Sequence, residues 1–314
     1  MNKKVLIVGG AGYIGGFLTD HLVENNYEVT VYDNLLYESR YMKKNKFIYG
    51  DIRDENKLSN IIHEHDVVVW LAGLVGDGAC SVNPKLTINL NVDTVKWLVD
   101  NYKGKIIFPS TCSVYGVNND LIEEEAIPSP LSLYAGTKLE AERYVLENCP
   151  NSLVFRLGTL FGLGDDHSRI RLDLVANILS MKAANGEPLT VFGGEQWRPL
   201  LHVRDVSTAI LHGIKNDIDG LYNLSYENFR ISDLAKEIKK VIPDCSVSYT
   251  DMKFEDLRNY KVKNDKYLKT GWKPQYNIQD GIKQIVDLIK EERIKDTGNI
   301  IYSNAAYMRR LNEF

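Results

Sequence analysis

From residue 5 to about residue 160, short β-branched and apolar runs alternate with stretches whose apolar positions recur every three to four residues. Val5–Val8, Glu28–Tyr32, Lys46–Tyr49, Val67–Leu71, Lys105–Pro109 and Leu153–Arg156 predict strands. Between them, Gly15–Asn25 collects Phe17, Leu18, Leu22 and Val23 on one helical face, and Asn91–Asn101 collects Val92, Val95, Leu98 and Val99; Asn56–Ile62 is also helical in pattern. Strands that are apolar on both faces need covering on both, which a parallel sheet flanked by helices provides. Right-handed crossovers then give a doubly wound α/β architecture.

Past Gly162 the rhythm changes to longer helices, Leu172–Asn185, Ile231–Val241 and Ile278–Glu292, joined by loops that hold Gly193-Gly194, Pro199 and Pro274. This predicts two parts: residues 1–161 as the sheet domain, and 162–314 as a smaller α/β lobe capping the strand ends, with some segments returning to the first part. A ligand would sit in the cleft between them. Asp296–Phe314 has no clear periodicity and reads as a tail or oligomer contact rather than a core element. No window approaches the roughly eighteen apolar residues of a membrane span, and the apolar run after Lys4 is too short for a signal peptide. A net charge of -4 gives no overall attraction to nucleic acid or an anionic membrane. The four cysteines are scattered with no CxxC pair, so they suggest neither a metal site nor a disulfide framework, and a reducing cytoplasm fits.

The first strand runs into Gly9-Gly10-Ala11-Gly12-Tyr13-Ile14-Gly15 and then a helix. Glycines here permit a tight turn, close approach of backbone N–H groups to a pyrophosphate, and close helix–strand packing, with the helix N-terminus facing the anion. Asp33 ends the second strand, followed by Asn34. A carboxylate there accepts hydrogen bonds from both ribose hydroxyls and repels a 2′-phosphate, which selects NAD over NADP. Asp51-Ile52 and Leu71-Ala72-Gly73 follow the third and fourth strands, where an open α/β sheet meets its ligand; Asp51 could instead cap the helix that follows.

Tyr134-Ala-Gly-Thr-Lys138 sets a phenol and an ammonium one helical turn apart, on a helix begun after Pro130 and Ser132. A nearby Lys⁺ favours the phenolate, lowering the tyrosine toward the range of a general base. Ser110-Thr-Cys-Ser-Val-Tyr-Gly116 ends the fifth strand and brings hydroxyls to the sheet edge.

On these motifs, and on Asn91-Val92, Arg156–Gly162, Arg198–Asp205 and Gly271-Trp-Lys-Pro274, nearly the whole chain resembles the NAD-dependent epimerase/dehydratase family, extended short-chain dehydrogenases with a Rossmann sheet that modify nucleotide sugars. The resemblance implies a triad. Thr111 would bind the reacting hydroxyl, Tyr134 would remove its proton, and Lys138 would hold the nicotinamide ribose and tune Tyr134, with hydride passing between the sugar carbon, usually C4, and the nicotinamide. It also implies cofactor contacts from Gly9, Gly12, Tyr13, Ile14, Gly15, Asp33, Asn34, Asp51, Ile52, Leu71, Ala72, Gly73 and Asn91. A homodimer pairing the helices near Asn91–Asn101 and Ser132–Asn148 is implied as well. Arg198, in Gln-Trp-Arg-Pro-Leu-Leu-His, and Arg258, in Glu-Asp-Leu-Arg, match arginines that grip the substrate's diphosphate, though each could be an interlobe ion-pair residue; His202 would brace its loop.

Departures from the family pattern narrow the reaction. Family members that eliminate water carry Asp-Glu after the active-site threonine; here those positions, facing the substrate, are Cys112 and Ser113, which disfavours 4,6-dehydration. Gly73–Cys80 and Gly164–Asp173 look like a subgroup of glycan enzymes containing 4-epimerases and dehydrogenases that oxidise GDP-linked heptose at C4. Arg169 and Arg171 in the second stretch would bind substrate or else merely decorate the helix that follows. The expected activity is a 4-epimerase; a net C4 dehydrogenase or ketosugar reductase is the alternative, and a noncatalytic NAD sensor is opposed by the intact Tyr134–Lys138 pair.

Overall fold

The computed structural model describes residues 2–192, 194–250 and 258–312; Gly193 and Glu255–Leu257, named above, lie outside the described residues. Seven parallel strands form the main sheet: β1 (Lys4–Val8), β2 (Glu28–Asp33), β3 (Lys46–Tyr49), β4 (Val67–Trp70), β5 (Lys105–Thr111), β6 (Ser152–Leu157) and β7 (Gly220–Leu224), in the order β7-β6-β5-β4-β1-β2-β3. The order reverses between β1 and β4, so a crevice opens at their carboxyl ends. Val5, Ile7, Val67 and Val69 pack to one side of the sheet, and Leu6, Val8, Val68 and Trp70 to the other, which is why these strands read as unbroken apolar runs.

Two glycines fix the crevice. Gly9 has φ +85°, and a Cβ on it would lie 2.5 Å from the Ala72 nitrogen, so only glycine lets the turn after β1 lie against the turn after β4. A Cβ on Gly15 would lie 2.5 Å from Gly10, so the helix Gly15–Glu24 starts directly on the loop's backbone.

The pattern over Asn91–Asn101 does not form one regular helix. Asn89–Asp93 is a π-helical turn that continues into the helix Thr94–Asn101. The wider turn accompanies an inward Asn91, which donates to the Leu74 carbonyl at 2.9 Å and accepts from the Leu74 N–H at 2.8 Å.

The second lobe packs Thr159–Phe161, Trp197–His202 and Glu227–Arg230 as a three-stranded sheet with the helices Val175–Ala184, Ile231–Val241 and Ile278–Lys290 around Leu179, Leu200, Leu234, Ile238 and Ile282. Chain from beyond residue 162 also belongs to the first part: β7 edges the main sheet, and the helix Val203–Lys215 packs on Gly15–Glu24.

The C-terminal segment departs from expectation. Ile300–Tyr302 is a 3₁₀ turn and Asn304–Asn312 a helix, with Asn304 and Met308 buried. Met308 joins the apolar cluster of Leu74, Ala79, Cys80 and Tyr134, while the Asn304 backbone N–H donates to Asp173 at 2.9 Å and its side chain to the Val75 carbonyl at 2.8 Å. Polar contacts to residues far away in sequence fix this helix, and periodicity does not register them. Among the described residues, no helix is long and apolar enough to cross a membrane, and the four cysteines are free and buried.

Candidate active site

A cavity of about 1280 Å³ opens over the carboxyl ends of β1, β4 and β5 and is lined by both lobes. On the sheet side Gly9, Gly12, Tyr13, Ile14, Asp33, Asn34, Ile52, Leu71, Ala72 and Gly73 face it. Asp33 accepts from the Ala11 N–H at 3.0 Å and the Leu35 N–H at 2.7 Å, so one carboxylate braces both the glycine loop and the turn after β2. Burial raises its pKa against the pull of those amides. Tyr13 donates to the Gly162 carbonyl at 2.6 Å, tying the loop to the second lobe.

Three expected cofactor residues stand behind the cavity wall rather than on it. Gly15 is taken up by packing on Gly10. Asp51 is bound by Arg53 at 2.9 and 2.8 Å, which holds its carboxyl below the usual range, and it also accepts from Asn34 at 3.3 Å. Nor does Asp51 cap the next helix, since Asp54 accepts from the Lys57 N–H. Asn91 shapes the Gly73-Leu74 turn from beneath.

Ser132 caps the helix Leu133–Asn148, placing Tyr134 in its first turn and Lys138 one turn on; both line the cavity with Thr111 and Ser113. Cys112, between the last two, points away: it is fully buried with Sγ 3.1 Å from the Arg156 carbonyl, because successive residues leaving a strand face opposite sides. Its assignment to the substrate is therefore corrected.

The expected electrostatics of the pair also differ. Burial raises the Tyr134 hydroxyl well above its ordinary value, opposed by the Arg171 charge and by the nearby Thr111 side chain. Lys138 sits with Nζ 3.9 Å from the centre of the Phe108 ring, and burial pushes it down to about 7. An apolar site penalises both charged forms more than sequence spacing suggests.

On the second lobe's side, Arg198 lines the cavity near Tyr260 and donates to the carbonyls of Trp197 and Arg258. Arg258 reaches Asp77 and Ser113, each at 3.1 Å. Arg171 is held by Asp173 at 3.0 and 3.2 Å. Arg169 lies 3.5 Å over the Tyr37 ring. Neither of the latter two caps the helix Val175–Ala184. His202 braces its loop, accepting from the Arg204 N–H at 3.1 Å, lying 2.8 Å from Gln284 and stacked on Tyr276; burial pushes it down to about 4, so it is uncharged at neutral pH.

In a comparison of the chain with known families, the family model described as NAD dependent epimerase/dehydratase family matches residues 5–225. The chain belongs to this family. It is 29% identical over 303 residues to a putative UDP-glucose 4-epimerase of Methanocaldococcus jannaschii, covering 91% of this chain and 98% of that one. It is also 29% identical to human dTDP-D-glucose 4,6-dehydratase, covering 92% and 90%. The crystal structure of UDP-glucose 4-epimerase from Thermotoga maritima with UDP-glucose superposes with a TM-score of 0.79 at 25% identity, covering 93% of this chain and all of that one.

The family is NAD-dependent, and the cavity fits a dinucleotide. Asp33 and the bare Gly12 backbone face it, and the buried Ser110 Oγ and Trp70 Nε1, both in the lining, have no protein partner. Among the lining residues that the sequence did not single out individually are Tyr37, Asp77 and Asn304. Only Asp77 had a signal, sitting between Gly76 and Gly78 in the stretch that departs from the family pattern; Gly76 has φ +96°.

Proposed function

We propose that this enzyme is a 4-epimerase of a nucleoside-diphosphate hexose. The observation that carries the reading is that Thr111, Tyr134 and Lys138 share one cavity with Asp33 and the glycine loop on one side and Arg198 on the other. NAD, which Asp33 and the glycine loop would hold, would supply a reversible two-electron acceptor for the C4 hydride. The chain's own residues do the rest: the Thr111 hydroxyl holds the sugar's 4-hydroxyl, and Tyr134 takes and returns its proton. Arg198 and Arg258, with their forked donors, suit the diphosphate. Dehydration would need further acid and base groups, and beside Thr111 there is only the averted Cys112 thiol and the Ser113 hydroxyl.

The relatives make UDP-glucose and UDP-galactose the first substrates to test. NMR should show each converting to the other with no net change in NADH absorbance. Absence of any C4 change with UDP, GDP, dTDP or CDP hexoses would reject the reading. A net C4 dehydrogenase is the second reading, favoured because both departing stretches, around Asp77 and around Arg169, line the cavity; its signature is stoichiometric NADH.

The same reading places the protein in the cytoplasm, in keeping with four unpaired cysteines, and makes it a homodimer. Val95, Leu98, Val99, Leu139, Ala141 and Val145 of the helices Thr94–Asn101 and Leu133–Asn148 are buried within the protomer and Trp97, Tyr144 and Leu146 only half-buried, and the outer face also carries Lys96 and Arg143 beside Glu140 and Glu147, a mixture of charges that can pair with itself across a two-fold axis. Light scattering at micromolar concentration tests it.

A further inference from the structure

The segment from Leu163 to Asp173 crosses from the second lobe onto the dinucleotide side of the cavity and is fastened there. Asp165 pairs at 2.8 Å with Lys43, itself nearly buried and paired at 2.6 Å with Asp20 of the helix Gly15–Glu24. A side chain at Gly16, in that helix's first turn, would collide with Ser168. The next residue, Arg169, is 6% exposed, lines the cavity, and sits 3.5 Å over the ring of Tyr37, four residues beyond Asp33. One guanidinium nitrogen donates to the Ile301 carbonyl at 3.3 Å, but Nε has no partner, and neither does the Tyr37 hydroxyl. Two carboxylates lie near enough to act on Arg169, but Asp173 is already occupied by Arg171 and by the Asn304 N–H, and Glu38 acts on it by charge alone. Arg169 and Tyr37 thus both belong to the cavity lining while each keeps a buried polar atom without a partner, and a guanidinium so placed, with most of its donors unused, fits an anion with several acceptor oxygens.

We propose that Arg169, steadied by Tyr37, is a positioning residue for the cofactor: it binds the phosphates of the dinucleotide from the side opposite the glycine loop, and does not serve the substrate's diphosphate. This rests on the NAD-dependent reading above. Glycine-loop amides and a helix N-terminus supply only partial positive charge. A full charge on the other side closes the dinucleotide between two lobes, and the Ile301 contact lets the C-terminal segment hold that closure. The consequence is a cofactor retained between turnovers, as an enzyme that reoxidises its own NADH in place requires.

The test measures NAD retained per protomer after gel filtration, and the affinities for NAD and for UDP or GDP by calorimetry, on wild type, Arg169→Gln, Arg169→Lys and Tyr37→Phe. Arg169→Gln should bind NAD about ten- to a hundredfold more weakly and retain less of it, with nucleoside-diphosphate affinity unchanged. Arg169→Lys should recover part of the loss, and Tyr37→Phe, which keeps the ring under the guanidinium, should weaken NAD by a smaller factor. Unchanged NAD affinity in both Arg169→Gln and Tyr37→Phe overturns the proposal, as does a loss confined to nucleoside-diphosphate binding. Failure of wild type to bind any nicotinamide dinucleotide would instead reject the functional reading itself.

Discussion

Arg258 Nη1 lies 3.1 Å from Asp77 Oδ2 and 3.1 Å from Ser113 Oγ, so an arginine expected to grip substrate is engaged across the cleft by a carboxylate. Binding a diphosphate through Arg258 must compete with that pair. Both partners are partly exposed, which limits the pair to about 1 kcal/mol or less. Asp77→Asn should therefore tighten nucleoside-diphosphate binding by up to about fivefold, whereas Arg258→Ala and Arg198→Ala should each weaken it by roughly ten- to a hundredfold. Calorimetry with UDP on the three variants checks this; equal affinity throughout would place the anion elsewhere.

Tyr134→Phe removes only the oxygen that carries the proton. Turnover should fall by at least about a hundredfold, while retained NAD and the melting temperature stay close to wild type. Thr111, whose side chain lies close enough to oppose the rise in the Tyr134 pKa, should give a smaller loss as Thr111→Val.

Lys138 makes a pH-dependent contribution that its own deletion exposes. Its folded value, about 7, is below the ordinary 10.5 because burial disfavours the ammonium. Between those values the unfolded chain binds more protons than the folded one, so on this account stability rises with pH through that window. Urea unfolding of cofactor-free protein at pH 7 and pH 9 should show a larger gain for wild type than for Lys138→Met. A gain as large in the variant would sink the assignment.

One turn beyond Lys138 on the same helix, Glu142 holds Arg156, with Nη2 to Oε1 at 2.5 Å, and Arg156 donates in turn to Tyr115 and to the Glu124 carbonyl. Both charges are buried. Glu142→Ala strands the guanidinium, and a loss of about 3–5 kcal/mol in chemical denaturation is expected. Because Tyr115 closes the turn that carries Thr111 and Ser113, turnover should drop as well. Cys112→Ala, by contrast, should leave kinetics nearly unchanged, since the thiol faces away from the cavity.

Six of the seven strands of the main sheet were legible to within one or two residues because their apolar runs, most of them buried, stand out between helical patterns; β7, with polar and half-buried positions at Gly220–Tyr222, was not. The glycine loop and the Tyr134–Lys138 spacing were legible because backbone sterics and helix geometry act over a few residues. What escaped depends on contacts distant in sequence. Asp51 and Asn91 stand near the cofactor side, but their side chains are taken by Arg53 and Leu74. The C-terminal helix has too little amphipathic pattern of its own to announce itself, and its place is decided by Asp173 and Val75. Arg169 acquires meaning only when Tyr37 appears beneath it.

β7 returns from the second half of the chain to pair with β6, and the next strand of the small lobe, Glu227–Arg230, begins almost at once. The polypeptide thus shuttles between the two halves instead of finishing one and starting the other. Such a weave cannot be exchanged between relatives as a cassette: a graft of residues 162–314 would carry off an edge strand and a covering helix of the recipient. New sugar preferences are then reached by point changes along the cleft rim, and a library meant to redirect this enzyme should be spent there rather than on chimeras.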